Sequence, residues 1–134
     1  MKKNTKLRNT LIFIAMPFFC YFLAWAMMCG GIYYKTTKVL KYQGYEKRDI
    51  QSVKPQWDIL YNEPNCEIVF ADEPQHTYNY VYMFSGKIDG VEFPGFISVY
   101  DENGMIYPPD VYTDPTIKHL CGDYPFDVNT NKKL

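Results

Sequence analysis

With 134 residues, the chain has room for one small domain and a targeting segment but not for a second core. Its formal net charge of −1 hides an asymmetry: residues 1–48 carry nine Lys/Arg against Glu46 alone, and residues 49–134 carry five against fourteen Asp/Glu. An acidic body with Lys54, Lys87 and Lys118 scattered through it lacks the clustered cations that a phosphate backbone requires, which excludes nucleic acid as a partner.

In chain order, residues 1–10 form a basic tail with Lys2, Lys3, Lys6 and Arg8. Residues 11–34, "LIFIAMPFFCYFLAWAMMCGGIYY", are free of charge and long enough to span roughly 30 Å of hydrocarbon as a helix. Pro17 and the Gly30-Gly31 pair weaken that helix locally. Ala24-Trp25-Ala26 satisfies the A-x-A rule for signal cleavage, but the apolar run continues past it, and a lipoprotein reading of Cys29 is opposed by Met28 before it. The expected outcome is an uncut anchor with a cytoplasmic N-terminus, although Lys/Arg counts on the two flanks are close. Residues 35–48 read as a basic stalk, helical to about Gln43 with Gly44 as its left-handed stop, whose lysines lie near the membrane surface.

Residues 49–134 have the texture of an extracytoplasmic acidic domain rich in β-structure. "DIQSVKPQWDILYN" is an interrupted strand around Pro55, and "CEIVFAD" is a strand stopped by Asp72-Glu73-Pro74. "HTYNYVYMFSG" alternates with period two, placing Tyr78, Tyr80, Tyr82 and Phe84 on one side. Asp89-Gly90 and Asn103-Gly104 are hairpin signals around the strand "GFISVYD". From Pro108 the tail reads as irregular coil. The fold class expected is α+β: one N-terminal transmembrane helix with a short stalk helix, then an antiparallel sheet of about four to five strands.

"GYEKRDIQSV", "EIVFADEP" and "YNYVYMFSGKIDG", following a basic start and an apolar span, resemble a family of short single-span membrane proteins of Gram-positive bacteria, domain of unknown function 3139. The resemblance covers roughly residues 1–90. It implies a bacterial surface location and carries over no functional residue. An oxidising exterior would permit Cys66 and Cys121 to pair, worth roughly 4 kcal/mol in the chain-entropy model. Two buried thiols are the alternative, and the resemblance makes a disulfide less expected.

No motif for catalysis stands out. His76 and His119 are the only histidines, and no G-x-S-x-G elbow surrounds Ser52, Ser85 or Ser98. Cys66, His76, His119 and Cys121 lack paired C-x-x-C spacing, so no metal and no cofactor is expected. Asp72-Glu73 and Asp101-Glu102 read as strand terminators rather than as a carboxylate pair across a cleft. Tyr78, Tyr80 and Tyr82 are the candidate binding residues, either a recognition surface or the core of the sheet with hydroxyls at its edge. The expected function is that of a non-enzymatic, membrane-anchored binding or envelope accessory module that contacts lipid through its helix. Its partner is an unknown envelope or toxin protein, an immunity protein being the alternative and a small hydrolase a weaker one.

Overall fold

The computed structural model describes residues 2–58, 60, 62–106, 114–119, 126–127 and 132–133. One helix, α1 (Lys2–Tyr42), carries the whole apolar run, and Pro17 lies within it. Among the described residues it is the one helix long and apolar enough to cross a membrane, and its apolar window is not buried in the protein. It ends where a Schellman motif closes it: Gly44, at φ +93°, donates to Lys41 O at 3.1 Å, and Tyr45 N donates to Leu40 O at 3.0 Å.

Residues 35–42 continue the same helix to the stop expected at Gly44, but as its last turns they pack against the sheet and do not stand apart from it as a stalk. Cys29, Ile32, Thr36, Val39 and Leu40 are buried, a spacing of three, four, three and one that marks one face of a helix. Lys38 and Lys41 lie on the exposed side. The physical reason is that the sheet brings an apolar face which needs a second layer, and this stripe supplies it.

The sheet is antiparallel throughout, in the order β1-β2-β3-β6-β7, and thus confirms an α+β fold with five strands. Its strands are β1 (Ile50–Asp58), β2 (Glu63–Phe70), β3 (Thr77–Val81), β6 (Phe96–Asp101) and β7 (Gly104–Ile106). β1 is one strand with a register shift between Ile50 and Ser52, and Pro55 is tolerated because β1 is an edge. Between β3 and β6 the short hairpin of β4 (Gly86–Ile88) and β5 (Val91–Phe93) turns at Asp89-Gly90, both at positive φ as a type I′ turn requires. The β6–β7 hairpin instead turns at Glu102-Asn103. Asp101 Oδ1 accepts from Asn103 N at 2.7 Å, and Gly104 comes next at φ +121°.

β3 is shorter than its alternation suggests. It ends at Val81, and Phe84 leaves the tyrosine face to become exposed at φ +57°. In the core, Cys66, Ile68 and Phe70 of β2, Tyr78 and Tyr80 of β3 and Val99 of β6 face the helix stripe, with Phe93 and Ile117 joining them. The β4–β5 hairpin lies along the helix: Glu92 pairs with Lys35 at 3.0 Å, and Asp89 accepts from the Tyr42 hydroxyl at 2.7 Å. Most of the tail expected as coil lies outside the described residues. Within it, β8 (Phe126–Asp127) pairs with β9 (Lys132–Lys133).

Candidate functional site

The helix end, the β2–β3 turn and residues 114–119 meet at the end of the sheet where the helix stops. Ala71 N donates to Asp49 O at 2.9 Å, tying that turn to the start of β1. Within the turn, Glu73 N bonds to Phe70 O and His76 N to Glu73 O, both at 3.2 Å. This backbone sends the two adjacent carboxylates in opposite directions, Asp72 to the surface and Glu73 to the interior.

A fully buried carboxylate survives only with its acceptors filled. Glu73 Oε1 accepts from the Tyr78 hydroxyl at 2.9 Å and from His76 Nδ1, and Oε2 accepts from Lys118 N at 3.0 Å. Tyr78 Oη in turn accepts from His119 N at 3.3 Å. The His119 ring stacks on Phe70, with centroids 3.8 Å apart. With its Nε2–H donating to Asp72 Oδ1 at 2.8 Å, its Nδ1 accepts from the Tyr45 hydroxyl at 2.8 Å. Beside this cluster opens a cleft of about 550 Å³ lined by Tyr45, Arg48, Asp49, Ala71, Asp72 and His119.

Tyr78, Tyr80 and Tyr82 do share a side, but that side is the core and not a recognition surface. Their hydroxyls are bonded internally: Tyr78 to Glu73, Tyr80 to Gln43 Oε1 at 3.4 Å, and Tyr82 to Thr36 Oγ1 at 2.8 Å. Burial pushes the Tyr78 and Tyr82 hydroxyls well above the ordinary phenol range, so both stay neutral. Cys66 is a free and fully buried thiol beside Thr36, and among the described residues no disulfide is seen; Cys121 lies outside them. Burial pushes the Cys66 thiol up to about 11 against the opposing Thr36 hydrogen bond, which makes it unreactive. Of the four Cys and His residues considered from the sequence, Cys66 faces the helix, His76 and His119 are held by Glu73, Asp72 and Tyr45, and Cys121 lies outside the described residues. Among the described residues no group of three or more His, Cys, Asp or Glu is placed to hold a metal.

Sequence reasoning missed the role of both histidines. His76, three residues after Glu73, carried a local signal. His119, 47 residues after Asp72, carried none. The hydrogen bond from His119, with weaker electrostatic help from His119 and Lys118 and against slight burial, holds the Asp72 carboxyl below the usual range. A depressed carboxyl stabilises the fold above its unfolded value, about 3.9, and that stability is lost as pH falls through the lower folded value. Asp72 is 55% exposed, so solvent screening keeps the effect small. Asp72→Asn should therefore lower stability slightly above pH ~4 and converge with the unsubstituted chain in stronger acid, giving a shallower dependence of stability on pH, read by chemical denaturation at a series of pH values.

Taken together, the molecule is a single long apolar helix whose last turns roof a five-stranded antiparallel sheet, with a carboxylate–histidine clasp at the end of the sheet where the helix stops. The family model described as "Protein of unknown function (DUF3139)" matches residues 9–80, more than half of the chain, and the chain belongs to that family. The match takes in the helix from Asn9, β1, β2 and β3 to Tyr80, so it includes Glu73, His76 and Tyr78 but not His119. No curated protein and no solved structure matches the chain.

Proposed function

We infer that the protein is a membrane-anchored, extracytoplasmic binding module that presents the cleft beside His119 to a partner away from the bilayer. The observation that carries this reading is the placement of the two ends. The exposed apolar helix leaves one end of the sheet, and Arg48, Asp49, Asp72 and His119 line a cleft at the other. The exposed guanidinium of Arg48 and the carboxylates of Asp49 and Asp72 suit a partner with mixed or cationic charge, such as an envelope protein. Both His119 nitrogens are engaged by Tyr45 and Asp72, an arrangement that clamps residues 114–119 and supports binding rather than proton transfer. An immunity protein would use the same cleft, its carboxylates speeding capture of a cationic toxin.

Topology decides the reading. Cys66 is too buried to serve as a probe, so the label belongs on the β6–β7 hairpin, as Glu102→Cys. A membrane-impermeant maleimide should label intact cells carrying Glu102→Cys above the level seen with the unsubstituted chain. Labelling that requires permeabilised cells would place the sheet in the cytoplasm and end this proposal.

A further inference from the structure

We propose that the sheet has a second contact with the bilayer, through a rim formed by Leu60, Phe84 and Phe96, so that it rests on the membrane rather than standing off it. This rests on the anchor reading above. The direction of the strands relative to the helix carries the argument. Along β3, Tyr78 meets Tyr45 through His119, Tyr80 reaches Gln43, and Tyr82 bonds to Thr36. The strand therefore runs back down the helix toward its apolar part, and the residues after Tyr82 lie lower still. Phe84 stands in the turn after Tyr82, and the next residue, Ser85, donates to Glu92 at 2.7 Å, the carboxylate that pairs with Lys35, so this turn lies near the level of Lys35 and below that of Gln43.

Two other segments end at this level. Tyr82 N bonds to Pro64 O at 2.9 Å, so the β1–β2 turn beyond Asp58 and Glu63, with Leu60 in it, extends below Tyr82. Phe96, opposite Val81, begins β6 at the same end. Among the described residues outside the helix, the large apolar side chains left exposed are Leu60 at 90%, Phe84 at 75%, Phe96 at 43% and Met105 at 38%. Single exposed apolar residues are ordinary. Three of these four gathered at the end where the apolar helix emerges are not explained by chance scatter, and Met105 lies on β7 opposite Tyr100, toward the other end.

Local geometry holds the rim in place. Asp58 Oδ1 accepts from Leu60 N at 2.9 Å, ordering that turn. Phe84 is presented from the left-handed region at φ +57°, unusual for a bulky side chain. A Cβ on Gly95 would stand 1.8 Å from Met83 O, so the Met83-Phe84 turn is pressed against the start of β6 by a contact only glycine admits. On the helix, Tyr33 and Tyr34 are exposed at this level and the Lys38 ammonium lies 4.8 Å from the Tyr34 ring centre, an arrangement suited to the headgroup layer. The span also agrees. The domain covers the helix from Cys29 onward, leaving Leu11 to Met28, about 27 Å at 1.5 Å per residue, to match a hydrocarbon core of roughly 30 Å.

The test uses the full chain in liposomes of phosphatidylcholine and phosphatidylglycerol, with p-benzoylphenylalanine placed in turn at Phe13, Phe84 and Glu102. After irradiation, lipid adducts are read by mass spectrometry. Adducts at Phe13 and Phe84, several-fold above those at Glu102, are the expected result. Adducts at Phe13 alone would overturn the rim contact and leave the anchor standing. Their absence at Phe13 as well would overturn the anchor and the rim with it. Equal yields at Phe84 and Glu102, or a cross-link between two chains at Phe84 in place of lipid, would also overturn the proposal.

Discussion

A chain beginning at Tyr45 is expected not to fold, whereas one beginning at Met28 should retain the sheet. Ile32, Val39 and Leu40 are buried against the sheet, and such side chains contribute about 1.5–3 kcal/mol each. Removing them also uncovers Ile68, Phe70, Tyr80 and Val99 and takes away the partners of the Tyr80 and Tyr82 hydroxyls. A stranded buried hydroxyl costs about 1–3 kcal/mol. The combined loss approaches or exceeds the ~5–15 kcal/mol that holds a typical domain together. Near-ultraviolet circular dichroism, rich in tyrosine signal here, reads the outcome directly. A cooperative melt of the Tyr45 chain matching that of the Met28 chain would mean that the helix is dispensable.

Loss of the buried carboxylate should rank next in effect. In Glu73→Ala, the Tyr78 hydroxyl, His76 Nδ1 and Lys118 N lose their acceptor together, for a destabilisation of about 3–5 kcal/mol. Glu73→Gln keeps one carbonyl oxygen and should cost less. Tyr78→Phe introduced into Glu73→Ala should add less than it costs alone, because the hydroxyl has already lost its acceptor and keeps only the longer bond from His119 N at 3.3 Å. Chemical denaturation of the unsubstituted chain, Glu73→Ala, Tyr78→Phe and the double variant forms a double-mutant cycle. Full additivity would show that Tyr78 and Glu73 act independently.

Much of the architecture was legible because it rests on local rules. The apolar run, the Gly44 stop, the Asp89-Gly90 turn and the period-two tyrosines each specify backbone geometry within a few residues. The two-layer packing was not legible. Cys29, Ile32, Thr36, Val39 and Leu40 form a stripe, but its first members merge with the all-apolar span and its last are interleaved with Lys35, Lys38 and Lys41, so the segment reads as a stalk. The tyrosine alternation indicated a shared face without saying which layer would cover it. Phe84 fits the same alternation yet leaves the strand, because pairing with β6 begins at Val81 opposite Phe96 and the chain must turn before it. At the clasp, Asp72 and Glu73 were visible as a pair, but their separation into a surface and a buried group depends on Lys118 and His119, which only the tertiary fold brings near.

Residues 29–42 belong to the folded domain and are not a stalk between it and the apolar part of the helix. Amide hydrogen exchange on the full chain in phospholipid nanodiscs tests this most directly. The prediction is that Thr36 to Tyr42 exchange with the same slow, cooperative protection as Cys66 to Phe70 and Tyr78 to Tyr80. Fast exchange of Thr36 to Tyr42 beside a protected sheet would contradict it, and would restore the picture of a solvated stalk.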